Sequence, residues 1–80
     1  MLTNYIRNAM KRARFEILPD DGSIYGEIPE FGGVYANADN LEACREELEE
    51  VLGEWILLRA YKNLPLPIVD GIDLNIKEVA

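Results

Sequence analysis

Residues 24–48 read IYGEIPEFGGVYANADNLEACREEL and place two alternating segments ahead of a long helical pattern. Ile24, Gly26 and Ile28 share one face of the first segment, and the second segment begins at Val34. The Pro-Glu-Phe-Gly-Gly sequence between them predicts a turn, because proline interrupts a strand and glycine accepts positive φ. We therefore expect two neighbouring strands followed directly by a helix.

A further strand and a first helix are predicted on the N-terminal side of this segment. Residues 15–18 alternate as a strand, and the Pro-Asp-Asp-Gly-Ser sequence that follows them is a turn signal. The three strands together predict an antiparallel meander over residues 14–38. Helical spacing of apolar side chains predicts a short basic helix within residues 1–13, and these side chains are Tyr5, Ile6, Ala9, Met10 and Ala13.

The longest pattern predicts a main helix over residues 40–62, capped by Asp39 or Asn40. Its apolar stripe alternates between spacings of three and four through Leu41, Cys44, Leu48, Val51, Trp55 and Leu58, and Leu52 and Ile56 widen it. Alternation over residues 72–77 predicts a last strand. The expected fold is a single α+β domain over residues 1–80, with an N-terminal helix, a three-stranded meander, a long helix and a fourth strand.

Charge is unevenly distributed along the chain. The 80 residues include 15 acidic and 8 basic side chains, which gives a net charge of −7. Residues 1–15 carry a local charge of +4, and the rest of the chain carries −11. Two interpretations stay open: a solvated or internally packed basic helix, and two surfaces for two kinds of partner. The overall acidity argues against nucleic-acid binding by the whole surface, because phosphate contacts need cations.

The composition leaves little for catalysis. The chain has no histidine and one cysteine, which excludes a Ser-His-Asp triad, histidine metal ligands and an internal disulfide. Cys44 lies on the apolar stripe and is interpreted as a small hydrophobic residue. Asp20 and Asp21 are adjacent turn acids without a companion group, and Gly32-Gly33 precede a strand rather than a phosphate-binding helix. We expect no enzyme activity and no catalytic, cofactor-binding or metal-binding residue; a residual metal-dependent nuclease is the alternative to test.

Hydropathy adds an expectation about location. The longest apolar runs are a few residues, far short of a membrane span. No signal-peptide pattern opens the chain. We therefore expect a cytoplasmic protein that makes no membrane contact.

The main helix carries six glutamates on its polar side. Pairs such as Glu46 with Glu50 and Glu50 with Glu54 are like-charged neighbours at helical spacing. Each pair of this kind costs roughly 0.2–0.5 kcal/mol in an isolated helix. The pattern is compatible with a solvated, solubilising face and with a face that meets a basic partner, where binding would relieve the repulsion.

These motifs, in this order, resemble the HicB antitoxin family. The resemblance is carried by residues 25–34 (YGEIPEFGGV), by the capped helix start at residues 40–44 (NLEAC), and by the Leu-Pro-x-Pro sequence at residues 64–67. The family pattern is Glu-Ile-Pro-Glu-Leu-Pro-Gly followed by a capped Leu-Glu-Glu-Ala helix. The resemblance covers residues 2–76, and the basic first helix is similar to that of small, single-domain members.

The resemblance implies a partial ribonuclease H-like fold without catalytic activity. It also implies a partner, a HicA-type toxin, which is a small basic ribonuclease that cleaves messenger RNA. The acidic residues expected to contact that toxin are Glu27, Glu30, Glu46, Glu49 and Glu50. Members of the family also form homodimers or tetramers, so we expect homo-oligomers here.

One departure from the family concerns DNA. Full-length HicB antitoxins usually carry a C-terminal DNA-binding domain, and this chain stops at Ala80, just after the predicted fourth strand. Operator binding is therefore expected only if the basic first helix supplies it, and the candidate contacts are Arg7, Lys11, Arg12 and Arg14. The alternative function is an oligomeric structural protein with no toxin partner.

Overall fold

The computed structural model describes residues 1–75 and has the predicted order of one helix, three strands and a second helix. Helix α1 spans Leu2–Met10 and helix α2 spans Leu41–Tyr61. Between them lie three four-residue strands, β1 (Arg14–Ile17), β2 (Ile24–Glu27) and β3 (Tyr35–Ala38). This α+β order confirms the fold class predicted from the sequence.

The three strands form one antiparallel sheet in the order β1-β2-β3. Its register places Phe15 opposite Gly26, and Gly26 opposite Ala36. A Cβ atom added at Gly26 would lie 2.7 Å from a Phe15 ring carbon and 3.2 Å from the Cys44 sulfur. Because Cys44 belongs to α2, these residues mark the face of the sheet that packs against the helix.

The close approach at Gly26 gives a first prediction. Gly26→Ala is expected to lower the free energy of unfolding by about 1–3 kcal/mol, because the Phe15 ring and α2 must move to accept the methyl group. Gly32→Ala is the matched control, since nothing lies within 4 Å of an added Cβ there. Urea denaturation measures both variants, and equal midpoints would contradict the packing described.

Helix α2 packs on the sheet through the middle of the predicted stripe. Its buried side chains are Cys44, Leu48, Leu52 and Ile56, and Val51 and Trp55 are partly buried against the same core. Two members of the predicted stripe, Leu41 and Leu58, are instead 54% and 53% exposed. The reason is length: 21 residues extend about 31 Å, whereas a four-residue strand extends about 13 Å. Both ends of the helix therefore pass beyond the sheet.

Both ends of α2 are closed by asparagine. Asn40 is the N-cap, and its side-chain oxygen accepts a hydrogen bond from the backbone N–H of Ala43 at 2.8 Å. After the helix, Asn63 adopts a φ of +54°, and the N–H of Leu64 donates to the carbonyl of Arg59 at 2.8 Å. This is a left-handed helix end of the Schellman type, and it directs the chain back toward α1.

The segment after α2 is fastened to the first helix. Leu66 and Val69 are buried in the same core as Tyr5. The Tyr5 hydroxyl donates a hydrogen bond to the carbonyl of Pro67 at 2.6 Å. Burial, above all, raises the pKa of Tyr5. Helix α1 therefore docks on residues more than sixty positions away in the chain.

Tyr5→Phe is expected to lower the free energy of unfolding by about 1–3 kcal/mol, since the Pro67 carbonyl loses its donor. The native chain should also lose stability as the pH rises above about 10. The folded state raises the pKa of Tyr5, so the stabilisation is complete below the unfolded value and disappears as the phenol ionises. Thermal unfolding between pH 7 and 11 tests this. Tyr61→Phe, at an exposed position, should change neither quantity.

The predicted strand at residues 72–77 is not found over its described part, residues 72–75. Val69 and Ile72 form an isolated antiparallel bridge. The two residues between them, Asp70 and Gly71, have φ values of +47° and +80°. Positive φ at both central positions is what a type I′ turn requires. The alternating residues from Ile72 onward therefore follow a two-residue hairpin turn.

The hairpin stops after one bridge because the neighbouring residues do not pair through their backbones. Pro67 lacks an N–H and so cannot donate to a ladder. One residue earlier, the side chain of Asn75 replaces backbone pairing: it accepts from the N–H of Leu66 at 2.7 Å and donates to its carbonyl at 3.0 Å. Residues 76 and 77 of the predicted strand lie outside the described residues.

Candidate partner-binding surfaces

The polar side of α2 presents glutamates that are not neutralised within the fold. Six of them are exposed: Glu42, Glu46, Glu47, Glu49, Glu50 and Glu54. Over residues 1–75 the ion pairs are those of Arg12, so none of the six is in one. The predicted like-charge repulsion along this helix therefore stays in the folded protein.

Helical position separates these glutamates into two settings. Glu49 lines a groove between the helices together with Arg7 of α1 and Arg45 of α2. Glu46 and Glu50 lie one turn apart on the helix, and Leu57 and Tyr61 continue the same line at spacings of seven and four. We call the line Glu46-Glu50-Leu57-Tyr61 the outer ridge of α2.

The C-terminal half of the outer ridge is apolar and uncovered. Leu57 is 67% exposed and Tyr61 is 87% exposed, with Leu58 exposed beside them. The apolar stripe predicts Leu58 in the core and does not include Leu57 or Tyr61. The sequence signal for these two is an apolar pair at a spacing of four on the glutamate side of the helix. The outer ridge is thus acidic in its first half and apolar in its second.

Glu30 does not belong to this surface. Arg12 donates to the carboxylates of both Glu30 and Asp70, the latter at 3.0 Å. These bonds, to Asp70 and then to Glu30, raise the pKa of Arg12. The guanidinium joins the end of α1, the loop after β2 and the turn after Val69 into one network. Glu30 and Arg12, predicted as a toxin contact and a nucleic-acid contact, therefore satisfy each other.

Glu27 lies on the face of the sheet that points away from α2. We call this the open face; it consists of Arg14, Glu16, Tyr25, Glu27, Tyr35 and Asn37. The rings of Tyr25 and Tyr35 stack there, with centroids 6.3 Å apart and planes 28° apart. The five predicted partner residues therefore fall on three surfaces: the outer ridge and adjoining groove, the open face, and the Arg12 network.

The four predicted nucleic-acid contacts are divided in the same way. Arg7 and Lys11 are exposed at α1. Arg12 is held by two carboxylates, and Arg14 lies on the open face directly opposite Glu27. Each basic side chain other than Lys11 thus has acidic neighbours. Arg7 and Lys11 therefore lie together at α1, whereas Arg12 belongs to the carboxylate network and Arg14 to the open face.

Cys44 is held within the core. It is fully buried, and its sulfur lies 3.6 Å from the carbonyl oxygen of Ala36. Burial, and to a lesser extent Glu47, raises the pKa of its thiol. The burial of Cys44 confirms its predicted place on the apolar side of the main helix.

Residues 1–75 contain neither a cluster of metal-ligating side chains nor a helix suited to a membrane. No group of three or more acidic, cysteine or histidine side chains is placed to hold a metal ion. Neither helix combines the length and the apolar character needed to cross a membrane.

Comparison with known proteins places this fold in a family. The model of the UPF0150-like family matches residues 4–67. The chain belongs to the UPF0150-like family. Among solved structures, this UPF0150-like chain is similar to TTHA0281 from Thermus thermophilus, at 31% sequence identity and a TM-score of 0.85. The similarity covers 96% of this chain and 95% of that one. No curated protein matches the chain.

Proposed function

We propose that this UPF0150-like chain is a cytoplasmic, non-enzymatic antitoxin module of the HicB type. It binds and neutralises a small basic HicA-type toxin that cleaves messenger RNA. The observation that carries the proposal is the outer ridge of α2, where exposed glutamates without ion pairs lead into exposed apolar side chains. Family membership and the HicB-like motifs of residues 25–34 support the same assignment.

The two halves of the outer ridge suit two stages of binding. Glu46 and Glu50 create a negative field that attracts a basic ribonuclease and speeds encounter. Leu57 and Tyr61 then provide the apolar contacts that hold a complex, since binding energy is concentrated in buried aromatic and apolar side chains. Occupying the RNA-binding surface of the toxin would be sufficient for inhibition, so the antitoxin needs no chemistry of its own.

The experiment is inhibition of RNA cleavage by the toxin encoded beside this gene. A fixed amount of toxin is titrated with the purified chain, and cleavage of a labelled messenger RNA is followed. We expect cleavage to stop near one equivalent of antitoxin. Unchanged cleavage at a tenfold molar excess would refute the proposal. The chain alone, with Mg²⁺ or Mn²⁺ added, should leave RNA and DNA intact.

The exposed apolar end of the outer ridge also favours an alternative, an oligomeric structural protein with no toxin partner. In that case Leu57 and Tyr61 pack against a second copy. Solution mass distinguishes the two functions when it is measured for the chain alone and after mixing with the neighbouring gene product. A homodimer or tetramer that gains mass on mixing supports the antitoxin; an unchanged oligomer supports the structural protein.

A further inference from the structure

The open face of the sheet pairs each of its tyrosines with a glutamate. The register places Glu16 directly opposite Tyr25, and Glu27 directly opposite Tyr35. Side chains opposite each other on neighbouring strands have Cβ atoms about 4.5–5.5 Å apart. Each glutamate is thus the cross-strand neighbour of a tyrosine, and the two rings stack on each other.

This group of side chains is partly accessible, since helix α2 occupies the opposite face. Tyr35 is 59% exposed and Glu16 is exposed, whereas Tyr25 and Glu27 are half-buried. Burial and the negative charges of Glu27 and Glu16 raise the pKa of Tyr25, so both carboxylates act on the ring. A stacked aromatic pair between carboxylates offers a negative π surface and hydrogen-bond acceptors at one place.

We propose that the open face binds an arginine side chain of a basic protein partner. The guanidinium lies flat on the tyrosine pair and donates to Glu27 or Glu16. Arginine fits better than lysine, because its planar group stacks on aromatic rings while its N–H groups bond a carboxylate side by side. RNA would also stack on tyrosine, but the two carboxylates repel phosphate.

Arg14 gives the proposal an internal control. It lies opposite Glu27 at the end of the open face, is exposed, and forms no ion pair within residues 1–75. Its charge competes with an incoming guanidinium for the same carboxylate. Arg14→Gln should therefore strengthen binding of an arginine ligand. If Arg14 served only the stability of the sheet, the same substitution would leave that binding unchanged.

The direct test uses capped peptides with one central arginine, lysine or citrulline, added to the full chain. The ring signals of Tyr25 and Tyr35 are followed by NMR. We expect a saturable shift with the arginine peptide, a smaller one with lysine and none with citrulline, which keeps the shape but lacks the charge. Equal shifts with all three peptides, or a larger response to a single-stranded oligonucleotide, would overturn the proposal.

Variants assign the effect to the open face. Glu16→Gln combined with Glu27→Gln should weaken arginine binding about tenfold, while Glu42→Gln combined with Glu54→Gln on α2 should not. Tyr25→Phe keeps the ring and should retain binding. Tyr35→Leu should abolish it, and Ile17→Ala, which removes an exposed apolar side chain from the other face of the same sheet, is the control. Binding unaffected by Tyr35→Leu would exclude this site.

This inference rests on the proposed function only for the identity of the partner. If the arginine peptide binds and the toxin is not inhibited, the open face stands and the antitoxin proposal fails. If the toxin is inhibited equally by the chain and by its Glu16→Gln, Glu27→Gln variant, and the peptide does not bind, the antitoxin stands and the open face fails.

Discussion

Phe31→Ala is expected to lower the free energy of unfolding by about 3–5 kcal/mol, the usual cost of deleting a buried aromatic ring. Phe31 is 1% exposed. Its ring lies 6.2 Å from that of Tyr5 and 5.1 Å from that of Trp55, measured between centroids. One loop residue thus joins α1 to α2. Because an 80-residue domain has little stability in reserve, much of the variant should be unfolded at 25 °C.

Urea denaturation followed by Trp55 fluorescence and circular dichroism measures the effect. Phe31→Leu keeps most of the volume and occurs in the family pattern that this loop resembles, so it should cost less than about 1.5 kcal/mol. Leu57→Ala deletes an exposed side chain and should stay within about 0.5 kcal/mol of the native chain. A similar loss for Phe31→Ala and Leu57→Ala would show that the loop does not join the helices.

Reversing two charges on the outer ridge, Glu46→Lys with Glu50→Lys, should weaken toxin binding at least about 100-fold. The change replaces attraction by repulsion at two adjacent contacts with a basic protein. The free energy of unfolding should stay the same or rise slightly. The repulsion between Glu46 and Glu50 is replaced by repulsion between two lysines, while Glu42 and Glu54 each gain an opposite charge one turn away. Calorimetric titration with the toxin gives the affinity, and repeating it at a second salt concentration shows how strongly salt weakens the binding.

The matched control changes the same total charge elsewhere. Asp20→Lys with Asp39→Lys replaces two exposed carboxylates outside α2. It should reduce the association rate modestly through the net field and leave the dissociation rate unchanged. If this pair weakens binding as much as the ridge pair, attraction depends on overall charge, and the outer ridge is not the interface.

The features predicted correctly from the sequence are those that depend on residues close together in the chain. Alternation placed β2, the Pro-Glu-Phe-Gly-Gly break placed the turn after it, and a cap followed by apolar residues placed the start of α2. Of the two candidate caps, the structure selects Asn40. Each of these features depends on side chains only a few positions apart, which is why pattern and structure agree.

The candidate surfaces depend on distant residues and were largely missed. The contact of Arg12 with Glu30 and Asp70 joins positions up to 58 residues apart, and no local pattern indicates it. The tyrosine pair required the register of β2 against β3, which the intervening loop sets. Leu58 was predicted in the core but is exposed, because α2 is longer than the sheet and its C-terminal end extends beyond it. Periodicity alone does not reveal this difference in length.

The bond between Tyr5 and Pro67 has a consequence for how the protein is made. Tyr5 is synthesised more than sixty residues before its acceptor. The bond from Arg12 to Asp70 likewise forms only after Asp70 has been synthesised. The sheet and α2 can form from residues 14–61 in the meantime, while α1 stays incompletely docked with its apolar side exposed. Helix α1 thus completes its contacts after the sheet and α2, which follow it in the chain, and folding should depend on the synthesis of the segment beyond residue 66.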